Sequence, residues 1–393
     1  MTRRAVSIPW LSAAAWAGMF FFGVVMAMLG TVLPVLSERL RFDLARAGGL
    51  FLAMNFAMLA TTLVLGPLID RFGKKPVLVA GSLAVSAALV LIAAAASYET
   101  LRAAVFLLGA GGGALNGGTN TLIADLHANP ARKSSALNVL GIFFGFGALF
   151  QPFLLGTLVQ RLDLAPILYV TIGLSFVPLA MFAALPFPPP RVGPGFRLAE
   201  AGKLVRNPLV LALGFLLFFQ SGNEFIVGGY TSTYLNRDLN ASIRTASYIL
   251  AAYWGAMMLG RVISSRLVYR MKGSKLLTAS ALLAAGGVAW MLLAGSAGTA
   301  AVGVILVGLG FASIYPVTLG FAGSRFEHIS GTAFGILFAI ALTGGMTMPW
   351  LVGQLAAARG LRFAFWLAAA NCLAITLLQF VVSRLGRRTG RAE

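Results

Sequence analysis

The sequence predicts an all-α membrane protein whose twelve transmembrane helices form two pseudo-symmetric bundles of six. The first supporting observation is composition: of 393 residues, 59% are hydrophobic and only 10% are charged, whereas about a quarter of the residues of a soluble domain are charged. The second is that charged and turn-forming residues divide the chain into twelve long apolar runs. The third is a proline-rich stretch near the middle of the chain, which separates two sets of six runs.

Each apolar run is long enough to cross a bilayer. The hydrocarbon core is about 30 Å thick, and a helix needs about 20 residues to cross it. The predicted spans are 8–37, 47–69, 76–97, 101–126, 134–160, 164–186, 208–235, 245–268, 275–295, 298–324, 331–357 and 361–383.

The basic residues indicate how the spans are oriented. The chain carries 30 Lys and Arg against 11 Asp and Glu, a formal net charge of +19. The loops on the side of the two termini hold 21 of these basic residues, and the loops on the opposite side hold 9. By the positive-inside rule this predicts a multi-pass protein of the cytoplasmic (inner) membrane with both termini in the cytoplasm. Because topology accounts for the charge, we expect no nucleic-acid partner.

Cysteine and histidine usage argues against redox and metal chemistry. Cys372 is the single cysteine, and the two histidines, His127 and His328, are far apart in the sequence. The sequence also contains no clustered nucleophile and no soluble output domain. We therefore expect no cofactor, no bound metal and no enzymatic activity.

The two halves of the chain resemble each other weakly. We predict an N-terminal bundle over 1–186, a cytoplasmic linker over 187–207 and a C-terminal bundle over 208–393. Gly147 stands five residues before Pro152 in span 5, and Gly344 stands five residues before Pro349 in span 11. Two parallel six-span repeats are typical of transporters, which bind their solute near the membrane midplane between the repeats.

The loop between spans 2 and 3 carries a recognisable motif. Residues 66–78 read GPLIDRFGKKPVL, which resembles the loop at this place in the major facilitator superfamily. The resemblance implies the two-bundle fold of that superfamily and a gating latch made of Gly66, Asp70, Arg71, Gly73 and Lys74. We expect the glycines to permit a tight turn and the charges to pair in one conformation and separate in the other. The alternative is that the basic residues only anchor topology.

Four further segments are similar to one branch of that superfamily, the fucose-galactose-glucose:proton symporters. They are 116–120 in span 4, 136–148 in span 5, 222–230 in span 7 and 313–316 in span 10. The branch implies proton-coupled sugar transport. The chain departs from it where those proteins carry acids, with Gly30 in span 1 and Asn116 in span 4, and where they carry polar residues in span 5, with Gly141 and Phe144.

Of the eleven acidic residues, ten fall in loops or at the ends of predicted spans, and the exception is Glu224. An ionised carboxylate at the centre of a membrane helix costs about 2.5–3.5 kcal/mol on insertion scales. It must therefore face a wet cavity, pair with a cation or be protonated. We interpret Glu224 as the candidate proton-coupling residue, because reversible protonation would link solute movement to the proton gradient. The alternative is a structural carboxylic acid that hydrogen-bonds a helix broken at the nearby glycines.

Amides and aromatic rings within the spans suit a polar organic solute. The candidate solute-binding residues are Asn116, Asn120, Asn138, Gln220, Asn223, Glu224, Tyr253, Trp254 and Tyr315. Asn116 and Asn120 are four residues apart and therefore share one helix face, as do Gln220 and Glu224. The alternative is that these side chains only fasten helices together. Arg261 could offer a charge to an anionic solute, but the structural alternative, in which it extends to the lipid headgroups, is favoured.

These observations predict a monomeric secondary transporter that moves a small polar organic solute, a sugar among the candidates, by alternating access, with protons as the candidate coupling ion. One alternative keeps the fold but exports amphipathic or drug-like compounds, because the two acids are missing and span 5 is apolar. A membrane sensor or enzyme has no support in the sequence.

Overall fold

The fold is described from a computed structural model of the chain, which describes residues 7–127, 129–188, 202, 204–326 and 330–389. These residues form twelve long helices. In chain order they are α1 (Ile8–Arg39), α2 (Leu44–Phe72), α3 (Lys74–Ala93), α4 (Tyr98–Leu126), α5 (Pro130–Leu158), α6 (Leu164–Ala184), α7 (Pro208–Arg237), α8 (Ile243–Leu267), α9 (Gly273–Leu293), α10 (Ala297–Arg325), α11 (Ser330–Arg359) and α12 (Trp366–Thr389).

The twelve predicted spans coincide with these helices, so the prediction of an all-α membrane protein is confirmed. Two details differ from the sequence pattern. The last span is interrupted, because a four-residue helix, Leu361–Ala364, precedes α12. By length and apolar composition alone, eleven of the twelve helical segments qualify as membrane spans, and α4 does not. Its glycines and two asparagines lower its mean hydropathy.

The helices group into two compact units. The first unit comprises Met1–Arg41 and Ala53–Gly195, and the second comprises Phe42–Leu52 and Phe196–Glu393. The change between units after Gly195 falls within the predicted linker 187–207, most of which lies outside the described residues, as does His328. The exact domain boundaries stay a prediction.

Helix packing within each unit follows the same plan. In the first unit α1 packs on α5, α3 packs on α4, and α3 also packs on α6. In the second unit α7 packs on α11, α9 packs on α10, and α9 also packs on α12. The pairs correspond helix by helix, which gives the pseudo-symmetry that the sequence predicts.

Glycines at equivalent positions allow the helices of each unit to approach closely. A Cβ atom added at Gly147 would overlap the Phe20 carbonyl oxygen of α1, and one added at Gly344 would overlap the Phe218 carbonyl oxygen of α7. These are the two glycines of the predicted internal repeat. Small residues let backbones touch in a membrane, where apolar surface gives no hydrophobic drive for association. The repeat therefore encodes a packing contact.

The glycine-rich segment of α4 has the same function. A Cβ atom at Gly109 would overlap the Met54 carbonyl oxygen, and one at Gly111 would lie 2.8 Å from the Gly81 carbonyl oxygen. In α10 the equivalent contacts are those of Gly308 with the Tyr253 carbonyl oxygen at 2.5 Å and of Gly303 with the Gly287 carbonyl oxygen at 2.5 Å. The segment 109–118 thus packs helices.

Serine caps determine where two equivalent helices begin. The Ser97 hydroxyl accepts a hydrogen bond from the Thr100 amide at 3.2 Å at the start of α4. At the start of α10, Ser296 and Thr299 form a reciprocal capping box. Each cap satisfies amides that have no partner in the first turn of a helix.

We expect Gly147→Ala to destabilise the protein, because its methyl group would meet a backbone carbonyl that cannot move aside without separating α1 from α5. Overpacking of this kind costs about 1–3 kcal/mol. The measurement is the apparent melting temperature in detergent. The matched control is Gly141→Ala in the same helix, where an added Cβ meets nothing within 4 Å. Equal melting temperatures for the two variants would contradict the packing role of Gly147.

Candidate functional site

A buried carboxylate lies near the middle of α7. Glu224 is the seventeenth of the thirty residues of this helix, and it is 8% exposed. The Gln220 amide nitrogen donates a hydrogen bond to Glu224 Oε1 at 2.9 Å and a longer one to the Phe311 carbonyl oxygen of α10 at 3.4 Å. Helix α7 runs without a break through this region. The alternative in which Glu224 hydrogen-bonds a broken helix is therefore wrong.

Helix α8 supplies a cation and a phenol to the same region. Tyr253 and Arg261 are eight residues apart in α8, which places them about 80° apart around the helix axis. The charges of Arg261 and Glu224 act on one another. Both charges also interact electrostatically with the Tyr253 phenol. Both interpretations of Arg261, a charge offered to an anionic solute and extension to the lipid headgroups, stay predictions.

Close packing of α8 on α10 holds this arrangement in place. A Cβ atom at Gly260, the residue before Arg261, would lie 2.6 Å from the Ala312 side chain of α10. Gly308 makes the reciprocal approach to the Tyr253 backbone. Tyr315 of α10 is near enough for the Glu224 charge to act on it, and its ring stacks on Phe338 with centroids 6.4 Å apart. Three helices of the second unit thus converge on the carboxylate.

Two polar atoms of this group have no hydrogen-bond partner among the described residues. They are the Tyr253 hydroxyl, in a side chain with 0% exposure, and Gln220 Oε1. Buried polar groups are nearly always hydrogen-bonded in native proteins, to protein or to water. A donor and an acceptor left open beside a carboxylate can therefore bind a hydroxylated solute or the water that it displaces.

Asn223 belongs to a different cluster, in which the hydrogen bonds are formed within the protein. Its amide nitrogen donates to the Ala368 carbonyl oxygen at 3.2 Å and to Cys372 Sγ at 3.3 Å. Its Oδ1 accepts from the Asn371 amide at 2.9 Å. Asn371, which sequence reasoning missed, is an amide within a predicted span and could have been noticed on that ground. The cluster fastens α7 to α12.

Trp254 packs within the second unit beside the carboxylate group. It is 2% exposed, and its ring meets that of Tyr253 at a centroid distance of 5.0 Å in an edge arrangement. A Cβ atom at Gly228 would lie 3.1 Å from the indole. The absence of a side chain at Gly228 therefore gives this indole room against α7.

The first unit brings together two of the three candidate amides. The Asn120 amide donates to the Asn116 side-chain oxygen at 3.1 Å and to the Asn116 carbonyl oxygen at 2.8 Å. Both side chains are partly exposed, and Asn138 of α5 is exposed. A second aromatic pair lies in this unit, where Trp16 stacks on Phe143 with centroids 5.3 Å apart and planes at 4°.

The motif of the predicted latch lies around the junction of α2 and α3. Gly66 is inside α2 and exposed, with open space around it, so the expectation of a turn there is wrong. The turn occurs at Gly73, whose φ of 80° is the left-handed conformation that glycine adopts without strain. Asp70 is exposed, and the Arg71 guanidinium lies 5.2 Å from the Phe72 ring centroid.

The lysines of the motif hold the first unit together. Lys74, which is 9% exposed, forms an ion pair with Asp125 near the end of α4. Lys75 donates to the Leu185 carbonyl oxygen after α6 at 3.0 Å. Sequence reasoning missed Asp125, because nothing local indicates which of the chain's basic residues it meets.

The histidine, cysteine and carboxylate side chains in the described part of the chain form no group of three or more that could hold a metal ion. Cys372 is buried and makes no disulfide. The candidate site consists of the Glu224 carboxylate, the Arg261 guanidinium, the Gln220 amide, the Tyr253 phenol and the Trp254 indole.

Comparison with known proteins identifies the family. The sequence matches the family model of the Major Facilitator Superfamily over residues 15–222 and 213–392. The chain belongs to this superfamily. The predicted family is confirmed, and with it the predictions of a transporter and of a chain that is not an enzyme.

Relatives in the superfamily differ in what their names say they move. A "Glucose/galactose transporter" of Brucella abortus biovar 1 (strain 9-941) is 24% identical over 365 residues, which are 88% of this chain and 87% of that protein. A "Chloramphenicol resistance protein" of Pseudomonas aeruginosa is 27% identical over 355 residues, 84% of this chain and 80% of that protein. A Danio rerio "Major facilitator superfamily domain-containing protein 4A" is 32% identical over 175 residues, 43% of this chain, and this chain spans 32% of that protein.

A solved structure shows the same fold. The crystal structure of a D-xylose-proton symporter matches with a TM-score of 0.81 and 15% identity, covering 95% of this chain and 97% of that one. This likeness supports the major facilitator fold of twelve helices in two six-helix bundles.

Proposed function

We propose that this major facilitator transporter moves a small polar organic solute of the sugar class by alternating access, and that it couples this movement to protons through Glu224. The observation that carries the proposal is the buried carboxylate group of the second unit, in which Glu224 accepts from Gln220 beside an unpartnered phenol. The relatives named for sugars support the solute class.

The proposed solute-binding residues have different roles. Gln220, Glu224, Tyr253, Trp254 and Tyr315 present polar and aromatic groups in the second unit. In the first unit Asn116, Asn120 and Asn138 offer partly or fully exposed amides. Asn223 has its amide hydrogen-bonded to α12, so we assign it to holding α7 in position rather than to direct contact with solute.

A charge in a membrane helix is expensive, and this cost makes Glu224 suited to coupling. An unpaired carboxylate there costs about 2.5–3.5 kcal/mol. The charge of Arg261 reduces that cost while the carboxylate is ionised. Protonation of Glu224 also removes this cost, because it neutralises the carboxylate. Both the ionised and the protonated state are therefore available to Glu224, which a coupling group requires.

Membrane location and assembly complete the proposal. The excess of basic residues in alternate loops supports a cytoplasmic (inner) membrane location with both termini in the cytoplasm. We propose a monomer, because each solute pathway in this fold is contained in one chain.

A second candidate function has support of its own. Two observations favour export of amphipathic compounds. Span 5 is apolar at Gly141 and Phe144, and the chain is similar to a chloramphenicol resistance protein. In that case Gly141 and Phe144 would contact apolar parts of the solute, at positions where sugar symporters carry polar residues.

The two candidates are separated by solute uptake into proteoliposomes. We expect counterflow of at least one radiolabelled monosaccharide from a panel of neutral and acidic sugars. Protein-free liposomes are the control. If no sugar of the panel showed counterflow and the protein extruded a drug such as chloramphenicol, the exporter would replace the sugar proposal.

We expect Glu224→Gln to abolish accumulation against a gradient while leaving solute exchange measurable. The amide keeps the shape and a hydrogen bond to Gln220 but cannot release a proton. The measurement is steady-state accumulation under an imposed pH gradient, with Glu99→Gln as the matched control, because Glu99 lies in an exposed ion pair with Arg102. Undiminished accumulation in Glu224→Gln would remove this residue from coupling.

We propose that the gating latch is formed by Gly66, Asp70, Arg71, Gly73 and Lys74.

We expect Asp70→Asn to affect transport and Asp125→Asn to affect stability. Asp70→Asn should slow transport with little change in equilibrium solute binding. Asp125→Asn deprives a buried lysine of its partner and should lower the apparent melting temperature, at a cost of about 1.5–3 kcal/mol. If Asp70→Asn weakened binding alone, Asp70 would not be part of a latch.

A further inference from the structure

The turn that connects α8 to α9 is strongly basic. Residues 266–275, the basic turn, carry four exposed basic side chains, which are Arg266, Arg270, Lys272 and Lys275. The sequence from 239 to 326 contains no acidic residue. These four side chains form no hydrogen bond and no ion pair with the part of the chain that the structure describes. Four positive charges therefore lie close together in the sequence without a counter-charge in contact from the described residues.

The equivalent turn of the first unit, between α2 and α3, has its charges compensated within the protein. Asp70 lies just before that turn, Lys74 forms an ion pair with Asp125, and Lys75 donates to the Leu185 carbonyl oxygen. The positive-inside rule requires only that basic residues be present in a loop. It does not explain why one turn is compensated internally and the other is not. The basic turn is therefore suited to a counter-charge from outside the chain.

The exposed face of α8 is apolar until it reaches the basic turn. Leu259, Val262 and Ile263 are three and four residues apart, so they share one helix face, and all three are exposed. Lipid chains are as apolar as these side chains. In a helix that spans a membrane, such a face is suited to contact with lipid chains.

The basic turn continues this face beyond the apolar residues. A step of seven residues is close to two helical turns and advances about 10 Å along the axis. It leads from the three apolar side chains to Arg266, Tyr269 and Arg270. Helical hydrogen bonding extends past the end of α8, because the Met271 amide donates to the Leu267 carbonyl oxygen at 3.0 Å. Tyr269 is 90% exposed, and tyrosine is enriched where a membrane helix meets the headgroups.

We propose that the basic turn binds an anionic phospholipid, with Arg266 and Arg270 on its phosphate and with its acyl chains along Leu259, Val262 and Ile263. A guanidinium matches a phosphate group with two parallel hydrogen bonds. A soluble phosphate or an acidic peptide could use the charges but would leave the adjoining apolar face unused. The inference goes beyond the proposed function, because it depends neither on the solute nor on proton coupling.

The test measures which lipids the full-length protein retains. The purified protein is equilibrated in detergent with equal amounts of phosphatidylglycerol and phosphatidylcholine of identical acyl chains, and the bound lipids are counted by native mass spectrometry. We expect phosphatidylglycerol to be retained in clear preference to phosphatidylcholine. A large excess of inorganic phosphate should not displace it. Equal retention of the two lipids would overturn the proposal, and so would displacement by phosphate, which would indicate a site for free anions.

Paired substitutions locate the lipid on the basic turn. We expect Arg266→Gln combined with Arg270→Gln to lower phosphatidylglycerol affinity about thirtyfold, because each basic residue near an anionic headgroup adds to the attraction. Arg266→Lys combined with Arg270→Lys should keep part of the affinity, since the charge remains and the bidentate geometry is lost. The matched control is Arg132→Gln combined with Lys133→Gln, which removes two exposed charges from the start of α5. Wild-type affinity in the Arg266 and Arg270 glutamine variant, or an equal loss in the control, would refute this site.

Discussion

The hydrocarbon core of a membrane contains no water to hydrogen-bond a polar group, and this constraint accounts for most of the structure. Backbone amides and carbonyls must be satisfied within each segment, which is why every described span is a helix. Apolar side chains gain little by leaving lipid for protein, so helices associate through close backbone approach. Gly147 and Gly344 supply that approach at equivalent places in the two units.

The same constraint separates fastening residues from binding residues. Asn223 has both ends of its amide hydrogen-bonded to residues of α12, as expected for a group that only holds helices together. The carboxylate group of the second unit is different, because Tyr253 and Gln220 retain polar atoms that no described residue hydrogen-bonds. A protein bears this cost where a ligand or water completes the hydrogen bonds. Both clusters lie on α7, yet only one has capacity left for a solute.

Glu224 connects solute binding to energy coupling in the proposed function. A carboxylate within a membrane span is held at low cost only while its charge is compensated or while it is protonated. The departures from the sugar symporters at Gly30 and Asn116 leave Glu224 as the one acid away from the ends of the predicted spans, so a single residue carries the proposed coupling.

The sequence by itself determined the number of spans and the fold, because the length and apolarity of a helix are local properties. It also determined which polar residues share a helix face, such as Gln220 with Glu224. It did not determine their partners. Lys74 meets Asp125 across 51 residues, and Asn223 is hydrogen-bonded to α12. Only the tertiary structure decided these pairings, because the rotation of each helix about its axis is set by contacts with helices distant in sequence.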